Sequence, residues 1–333
     1  MERPIDFVLI WVDGSDPQWQ AEKEKYLATE KGIIDATQTR YRDWDNLKYW
    51  FRAVEKYAPW VNRVHFVTCG QMPDWLDPNA PKLHLVNHSD FIPAEFLPTF
   101  SSHPIELNLH RIDGLSEQFV YFNDDFFLTA PVRPEDFFRN GLPCDSMAEG
   151  PIQFPTAELY NSIRVNDVVF ANRHFGRKQS RSKHWRKWFS LRVPQDACKN
   201  LVMALIRKSH FFGIDLRHLP AVYLKRSFTE VWAADPGLLS QTCAHRFRDS
   251  GDVSQCVVRF WQLLSGNFQP YNWKKAGKAF TAADAAEAAD RIRQKTYKMI
   301  CINDSGDCDF EAAKQAVNQA FAQVLPEKSS FEK

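Results

Sequence analysis

Several continuous apolar runs in the first part of the chain end in polar turn residues. The runs are Asp6–Val12, Val64–Thr68, Leu83–Val86 and Phe119–Phe122, and the first and last lead into Asp13–Pro17 and Asn123–Asp125. Short apolar runs bounded by turn residues are typical of strands buried on both faces of a sheet. The pattern therefore predicts a parallel or mixed sheet whose strands end in acidic and amide side chains.

Helical spacing of apolar residues predicts helices next to these strands. Leu47, Trp50 and Val54 recur at this spacing within Asp45–Tyr57, and Pro59 follows. Such a stripe is typical of a helix that packs on a core. The same spacing predicts helices at Ile105–Ile112, Leu159–Phe170, Ala197–Ile206, Phe228–Leu239, Val253–Leu264 and Phe310–Val324. Residues 87–104 contain three prolines and are predicted to form a loop.

The last predicted strand bears on the domain organisation. This strand, Lys298–Ile302, leads into Asn303–Asp304, and we expect it to rejoin the first sheet. Residues 1–138 and 296–326 would then form one α/β core, and residues 139–295 a mainly helical insertion or lid. The length of 333 residues is compatible with this arrangement, because domains usually hold about 100–200 residues.

Composition excludes several classes of protein. Hydrophobic residues make up 44% of the chain and aromatic residues 14%, which excludes a disordered or collagen-like protein. The net charge of +1 gives no reason to expect a nucleic-acid partner. The chain shows no membrane-length apolar run, no signal-peptide pattern and no Cys-x-x-Cys pair. We expect a protein with reduced thiols that is cytoplasmic, or bound peripherally at the inner face of the plasma membrane.

Three polar clusters follow predicted strands: Asp13 with Asp16, Asn123–Asp125, and Asn303 with Asp304. Ligands of open α/β sheets bind outside the carboxyl ends of the strands, so these clusters could converge on one site. Carboxylates there would suit Mg²⁺ or Mn²⁺, hard cations that bind oxygen ligands and bridge phosphates. The alternative is that Asp and Asn simply favour turns after strands.

Two further segments contain histidine and arginine in patterns suited to phosphate chemistry. His218 precedes Leu219-Pro220, and Arg246 and Arg248 follow His245 at a spacing of two residues. Histidine titrates near neutral pH and can act as a general base, while paired arginines can bind phosphate. Taken alone, each segment is a weak signal, and a surface or core role is the more common explanation of such a pattern.

A basic stretch from Arg173 to Lys187 contains no acidic residue. It could bind a polyanionic acceptor, anionic lipid headgroups or single-stranded nucleic acid, since aromatic residues lie between its cations. It could equally be a solvated loop. The sequence does not separate these possibilities.

Together, the motifs resemble the Stealth family of sugar-1-phosphate transferases, which includes bacterial capsule and cell-wall polysaccharide polymerases. Four regions of the chain match the family in order over most of its length, and residues 139–210 match least. The matching segments are Ile5–Val8 and Trp11–Pro17; Arg40–Asp43, Lys56–Val61, Gly70–Leu76, Leu97–Ser102, Leu109–Ile112, Gly114–Ser116 and Tyr121–Asp125; His218–Pro220 with His245–Arg248; and Cys301–Asp304 with the closing helix.

The resemblance implies transfer of a sugar-1-phosphate from a nucleotide-diphosphate sugar, of UDP-hexosamine type, to a hydroxyl of a growing polysaccharide. It also implies an α/β fold of Rossmann-like or glycosyltransferase-A-like type, a mixed sheet flanked by helices. We expect the metal at Asp125, Asn303 and Asp304, and the acceptor base at His218 or Asp124. Arg246 and Arg248 would contact the transferring phosphoryl group. Asp13, Asp16, Arg111 and Asn123 would hold the nucleotide-sugar.

Two other functions remain open at this point. A metal-dependent glycosyltransferase would bind the same donor but release a nucleoside diphosphate. A non-catalytic polyanion- or carbohydrate-binding protein would use the basic stretch and would not depend on Asp124 or His218. Donor sugar, acceptor, oligomeric state and the choice between polymerisation and a single transfer are not determined by the sequence.

Overall fold

The computed structural model describes residues 3–28, 42–153, 159–304 and 308–333. Its strands lie in three sheets. In chain order they are β1 Ile5–Ile10, β2 Val64–Thr68, β3 Leu83–Asn87, β4 Gln118–Phe122, β5 Phe126–Leu128, β6 Phe138–Arg139, β7 Leu142–Asp145, β8 Ala221–Leu224, β9 Gln269–Pro270, β10 Gly277–Thr281 and β11 Met299–Asn303.

The central sheet has five strands in the order β3-β2-β1-β4-β8. The first four run parallel, with Phe7 paired to Val64 on one side and to Val120 on the other, and β8 is antiparallel to β4. Because side chains alternate across a strand, Phe7 packs into one core and Val8 into another on the opposite face. The predicted α/β fold with a mixed sheet flanked by helices is confirmed.

Helices cover both faces of the central sheet. The longer helices are α1 Pro17–Leu27, α2 Leu47–Tyr57, α4 Ser102–Asn108, α6 Leu159–His174, α7 Arg177–Lys183, α9 Pro194–Leu205, α10 Lys225–Ala234, α11 Pro236–Ala244, α12 Cys256–Leu264, α14 Ala285–Gln294 and α15 Phe310–Val324. Four-residue helices are α3 His88–Phe91, α5 Pro134–Phe137, α8 Trp185–Trp188 and α13 Trp273–Ala276. No helix within the described ranges combines the length and apolarity needed to cross a membrane.

The final strand does not rejoin the central sheet, and this prediction was wrong. Strand β11 lies in a separate three-stranded sheet, parallel to β10 and antiparallel to β5. Strand β5 follows β4 through the turn Asn123–Asp125, so the end of the chain still meets its first half at that turn. The apolar pattern of β11 identifies a buried strand but carries no information on its partner.

Residues 139–295, expected to be mainly helical, also contain strands. Strand β8 belongs to the central sheet, and β7 pairs with β9 in a third, small sheet. This region is therefore joined to the central sheet by hydrogen bonds of its own strand. Its division from the rest as an insertion or lid stays a prediction.

Two parts of the helical structure differ from the sequence-based expectation for local reasons. The helix predicted at Phe228–Leu239 is two helices, because Pro236 cannot continue α10 and instead begins α11. Helix α1 was not predicted, although Asp16 accepts hydrogen bonds from Gln18 N and Trp19 N as its N-cap. Pro17 occupies the first turn, where a missing N–H costs nothing.

Candidate active site

A cleft of about 850 Å³ opens where the ends of several strands meet. Trp11 and Val12 follow β1, Asn123–Asp125 follow β4, and Asn303 and Asp304 lie at the end of β11. Helix α4 and the segments around residues 42–47, 216–221 and 248–259 complete the walls. The strand ends thus deliver carboxylates to the same place as the arginine- and histidine-containing segments.

The turn between β4 and β5 fixes Asp125 against β11. Asp125 accepts a backbone hydrogen bond from Ile302 N at 3.0 Å, and its Oδ2 accepts one from the Cys301 thiol at 3.2 Å. Burial and the charge of Asp125 raise the pKa of Cys301 far above its ordinary value, so this thiol stays protonated. The other oxygen, Oδ1, is buried without a hydrogen-bond partner among the described residues.

His218 lies beside Asp125 in the segment that precedes β8. Its Nε2 is 3.2 Å from Asn303 Oδ1 and 3.7 Å from Asp125 Oδ2, and its ring packs edge-on against Phe126. The side chain is 46% exposed to the cleft. Enclosure by the cleft is the largest single influence on the pKa of His218 and lowers it, but the carboxylate of Asp125 and the contact with Asn303 together outweigh it and raise the pKa above the ordinary histidine value.

Asp124 points into the same cleft with a different environment. Enclosure by the cleft walls and the charges of Asp125 and Asp43 raise the pKa of Asp124 to about 7, even though its side chain touches cleft solvent. A carboxyl group with such a pKa can exchange a proton near neutral pH.

Asp304 is held by an arginine that was not among the predicted site residues. Arg42 donates to both carboxylate oxygens of Asp304, at 2.7 and 2.6 Å, and its guanidinium lies over the Phe310 ring. The pair closes one wall of the cleft. The sequence signal for Arg42 was the segment Arg40–Asp43, which matches the family. Arg40 and Tyr41 of this segment lie outside the described residues.

A buried carboxylate orients two histidines on the opposite wall. Asp252 Oδ2 is 3.1 Å from His103 Nδ1, and its Oδ1 is 2.6 Å from His245 Nδ1. His103 lines the cleft, as does Arg248, which donates to Ser102 Oγ at 3.1 Å. His103 and Arg217, the cleft residue before His218, were also missed, because an isolated histidine or arginine has no distinctive pattern.

Four predicted site residues are not part of the cleft wall. Asp13 accepts from Ser15 within its own turn, and Asp16 caps α1. Arg111 lies over the Trp232 ring, and the Arg246 guanidinium lies over the ring of Tyr26 in α1. Predicted residues that do line the cleft are Asn123, Asp124, Asp125, His218, Arg248, Asn303 and Asp304.

One group of side chains in the described ranges has the geometry of a metal site. A carboxylate oxygen of Asp125, an imidazole nitrogen of His218 and the Cys301 sulfur all lie within 4.8 Å of one another. The partnerless Oδ1 of Asp125 and the amide oxygen of Asn303 add the oxygen donors that a hard cation prefers. These residues can hold a divalent cation.

Comparison with known proteins identifies the family. Models of Stealth protein conserved regions 1, 2 and 4 match residues 3–31, 40–144 and 290–333. The capsular polysaccharide phosphotransferase WcwK of Streptococcus pneumoniae is 40% identical, over 100% of each chain. The receptor polysaccharide phosphotransferase WefC of Streptococcus oralis is 41% identical, over 98% of this chain and 99% of its own. The chain belongs to the Stealth family.

Membership confirms the predicted family and the predicted enzyme class, a phosphotransferase. The Stealth segments supply Arg42, Asn123–Asp125 and Asn303–Asp304 to the cleft. The assignment of His218 and Arg248 to a further Stealth region stays a prediction. Among solved structures, the match with the galactosyltransferase LgtC covers 95% of this chain and 95% of LgtC, at 11% identity and a TM-score of 0.37. This similarity supports no statement about activity.

Proposed function

We propose that this Stealth enzyme transfers a sugar-1-phosphate from a nucleotide-diphosphate sugar to a hydroxyl of a capsular or other surface polysaccharide. The full-length similarity to polysaccharide phosphotransferases supports the reaction class. The observation that carries the proposal is the meeting of His218 with Asp125 and Asn303 at the ends of β4 and β11. This arrangement puts a proton acceptor beside oxygen groups suited to hold the cation of a donor diphosphate.

The reaction joins the acceptor oxygen to the phosphorus that carries the sugar. The bond between that phosphorus and the bridging oxygen breaks, a nucleoside monophosphate leaves, and a phosphodiester forms. His218 takes the proton of the attacking hydroxyl, and Asp124, with its pKa of about 7, is the alternative acceptor. Such transfers require positioning and charge neutralisation more than covalent help.

Cations of the cleft would neutralise the phosphoryl oxygens. Arg248 lines the cleft and agrees with the predicted role, and Arg217 adds a second guanidinium beside His218. Arg246 lies over Tyr26 and would have to change position to reach the same oxygens. Of the residues predicted to bind the nucleotide-sugar, Asn123 has the cleft position that this role requires.

The proposal includes Mg²⁺ or Mn²⁺, held by Asp125 and Asn303. The cation would neutralise charge on the donor diphosphate. Cys301 suits neither ion, since its thiol is protonated and sulfur is a soft ligand. Asp304 is a less suitable ligand than Asp125, because both of its carboxylate oxygens already accept hydrogen bonds from Arg42.

The donor type and the cellular location are also part of the proposal. A UDP-hexosamine donor follows from the family resemblance and from nothing in the cleft geometry. A cytoplasmic location agrees with the buried cysteines Cys144, Cys243 and Cys301, which are reduced thiols.

Product analysis tests the proposal. The purified chain is incubated with a panel of nucleotide sugars, a polysaccharide acceptor and Mg²⁺ or Mn²⁺, and the products are followed by nucleotide chromatography and phosphorus NMR. We expect a nucleoside monophosphate and a phosphodiester resonance, both lost on chelation of the metal. Release of a nucleoside diphosphate would instead establish a glycosyltransferase and refute the proposal.

A further inference from the structure

Helix α9 carries an apolar stripe on its solvent side. Cys198, Leu201, Val202 and Leu205 stand at positions i, i+3, i+4 and i+7 of this helix, which places them on one face. All four are exposed, with Leu201 at 60%, Val202 at 62% and Leu205 at 77%. A stripe of this kind normally faces a protein core, so its outward orientation requires an explanation.

The orientation of α9 is fixed by hydrogen bonds on its inner face. Asn200 donates to Met147 O and Trp188 O, and its side-chain oxygen accepts from Glu149 N. Asp196, one turn earlier, accepts from Ser146 Oγ at 2.6 Å. Rotation of the helix would break these buried hydrogen bonds, so the stripe cannot turn inward without a large cost.

Neighbouring segments extend the exposed apolar area. Leu191, which precedes the helix, is 91% exposed, and Trp185, Ile206 and Phe212 are also exposed. We call Trp185, Leu191, Cys198, Leu201, Val202, Leu205, Ile206 and Phe212 the α9 surface. Large contiguous apolar patches are rare on soluble proteins and mark interaction sites.

The segment that contains α9 is rich in positive charge. Residues 173–212 contain eleven Lys and Arg residues and one acid, Asp196, which is buried. Within the basic stretch, Arg177 is internal and binds Glu149, and Lys187 donates to the carbonyls of Gly266 and Phe268. Arg173 and Lys199 are exposed but form ion pairs with Asp235 and Asp215. The other exposed cations of the segment are Lys178, Lys183, Arg186, Arg192, Arg207 and Lys208.

We propose that the α9 surface binds the interface of an anionic phospholipid bilayer. The apolar stripe would insert among the lipid headgroups and the surrounding cations would contact their phosphates, as in interfacial amphipathic helices. A symmetric dimer through this surface would bring the same cations together without acids to pair with them. A polyanionic polysaccharide would match the cations but would leave the leucines without a partner.

The inner face of α9 connects this surface to the cleft. Asp196 Oδ1 lies 3.5 Å from Arg217 Nη2, and Arg217 is the cleft residue next to His218. Since a helix with its side chains is about 10 Å across, a bilayer at the outer face would lie about that far from Arg217. The proposal does not depend on the chemistry of the cleft.

Vesicle co-sedimentation of the full chain tests the proposal. Vesicles of phosphatidylcholine with phosphatidylglycerol are compared with vesicles of phosphatidylcholine alone. The variant Leu201→Ser/Leu205→Ser removes apolar area, and Val165→Ser/Val169→Ser is its control, because these valines are exposed at the same spacing on α6. We expect at least about tenfold weaker binding for the leucine variant and no change for the control.

A charge variant tests the other half of the surface. Arg207→Gln/Lys208→Gln should weaken binding to anionic vesicles about thirtyfold, whereas Lys274→Gln/Lys275→Gln, on exposed lysines of α13, should not. A polarity-sensitive dye on Cys198 should shift to the blue only with anionic vesicles. All four variants should keep the wild-type circular dichroism and thermal unfolding, since the substituted residues are exposed.

Three results would overturn the proposal. The first is equal or absent binding of the wild type to anionic and neutral vesicles. The second is unchanged binding of the leucine variant. The third is a wild-type dimer that the leucine variant converts to a monomer without any vesicle binding, which would make the α9 surface an interface between copies of the chain.

Discussion

Substitution of His218 by glutamine separates catalysis from folding. The ring is 46% exposed, and its main contacts are Asn303 at 3.2 Å and an edge-on packing with Phe126. Glutamine can keep the hydrogen bond to Asn303, so the cost in unfolding free energy is the ring contact, about 0.5–1.5 kcal/mol. Loss of a general base slows turnover about 10²–10⁴-fold, or about 3–5 kcal/mol in the barrier. The kinetic effect should therefore exceed the effect on stability.

The assay measures initial rates of nucleoside monophosphate release together with urea unfolding of both proteins. His210→Gln is the matched control, because His210 is exposed and lies outside the cleft wall. Despite its enclosure, His218 has a raised pKa because of Asp125, so the neutral ring forms above the ordinary histidine range. We therefore expect wild-type kcat/KM to rise with pH as His218 loses its proton, at pH values above the ordinary histidine pKa. A glutamine variant that keeps kcat within about threefold of wild type would refute the role of His218.

Three further predictions concern charges that the fold holds in place. Arg42→Lys should lower kcat/KM about tenfold by ending the two-bond contact with Asp304. The double variant Arg42→Lys/Asp304→Asn should lose little more than Arg42→Lys alone, because both changes remove the same contact. Losses that add up in the double variant would contradict this coupling. Burial raises the pKa of Asp167 to about 7, so the contribution of this one residue to stability should fall as pH rises from about 4 to about 7, where only the unfolded carboxyl is ionised. Asp167→Asn should flatten this slope in urea unfolding, and an unchanged slope would argue against it. Arg259→Met should cost about 3–5 kcal/mol in unfolding free energy by leaving Asp145 buried and unpaired, and a cost below about 1 kcal/mol would show that Asp145 is not buried in solution.

The buried strands of the central sheet could be predicted because each is a complete apolar run. Strand β4 is buried at every position, and its pattern leaves no other interpretation. Strand β8, with four residues between two helical segments, is too short to give such a signal. Strand β10 is buried only at Gly277 and Phe280 and contains Lys278, so it resembles a surface segment. Strands β8 and β10 pair with β4 and β11, and no local pattern identifies those partners.

The same distinction applies to the candidate site. Asn123–Asp125 could be located because a turn directly follows a buried strand, and local order alone puts it at a sheet edge. The contact of Arg42 with Asp304 joins residues 262 positions apart, and no local pattern encodes it. Asp13 and Asp16 combine both kinds of contact, since their oxygens accept from the turn and from the start of α1, but Asp16 Oδ2 also accepts from Gln71 Nε2, 55 positions away. Sequence patterns predicted where polar groups gather, while the ion pairs among them required the fold.

Charge pairing within the cleft decides which groups can act on a donor diphosphate. Arg259 donates to both oxygens of Asp145, and Arg42 does the same for Asp304, so each of these arginines already has a carboxylate partner. Arg217 makes a longer contact of 3.5 Å with its carboxylate and stands next to His218. A diphosphate in the cleft can therefore bind Arg217 without breaking a two-bond ion pair, whereas binding Arg42 or Arg259 would leave a carboxylate unpaired. This difference favours the Arg217 and His218 side of the cleft as the place where the phosphoryl group is transferred.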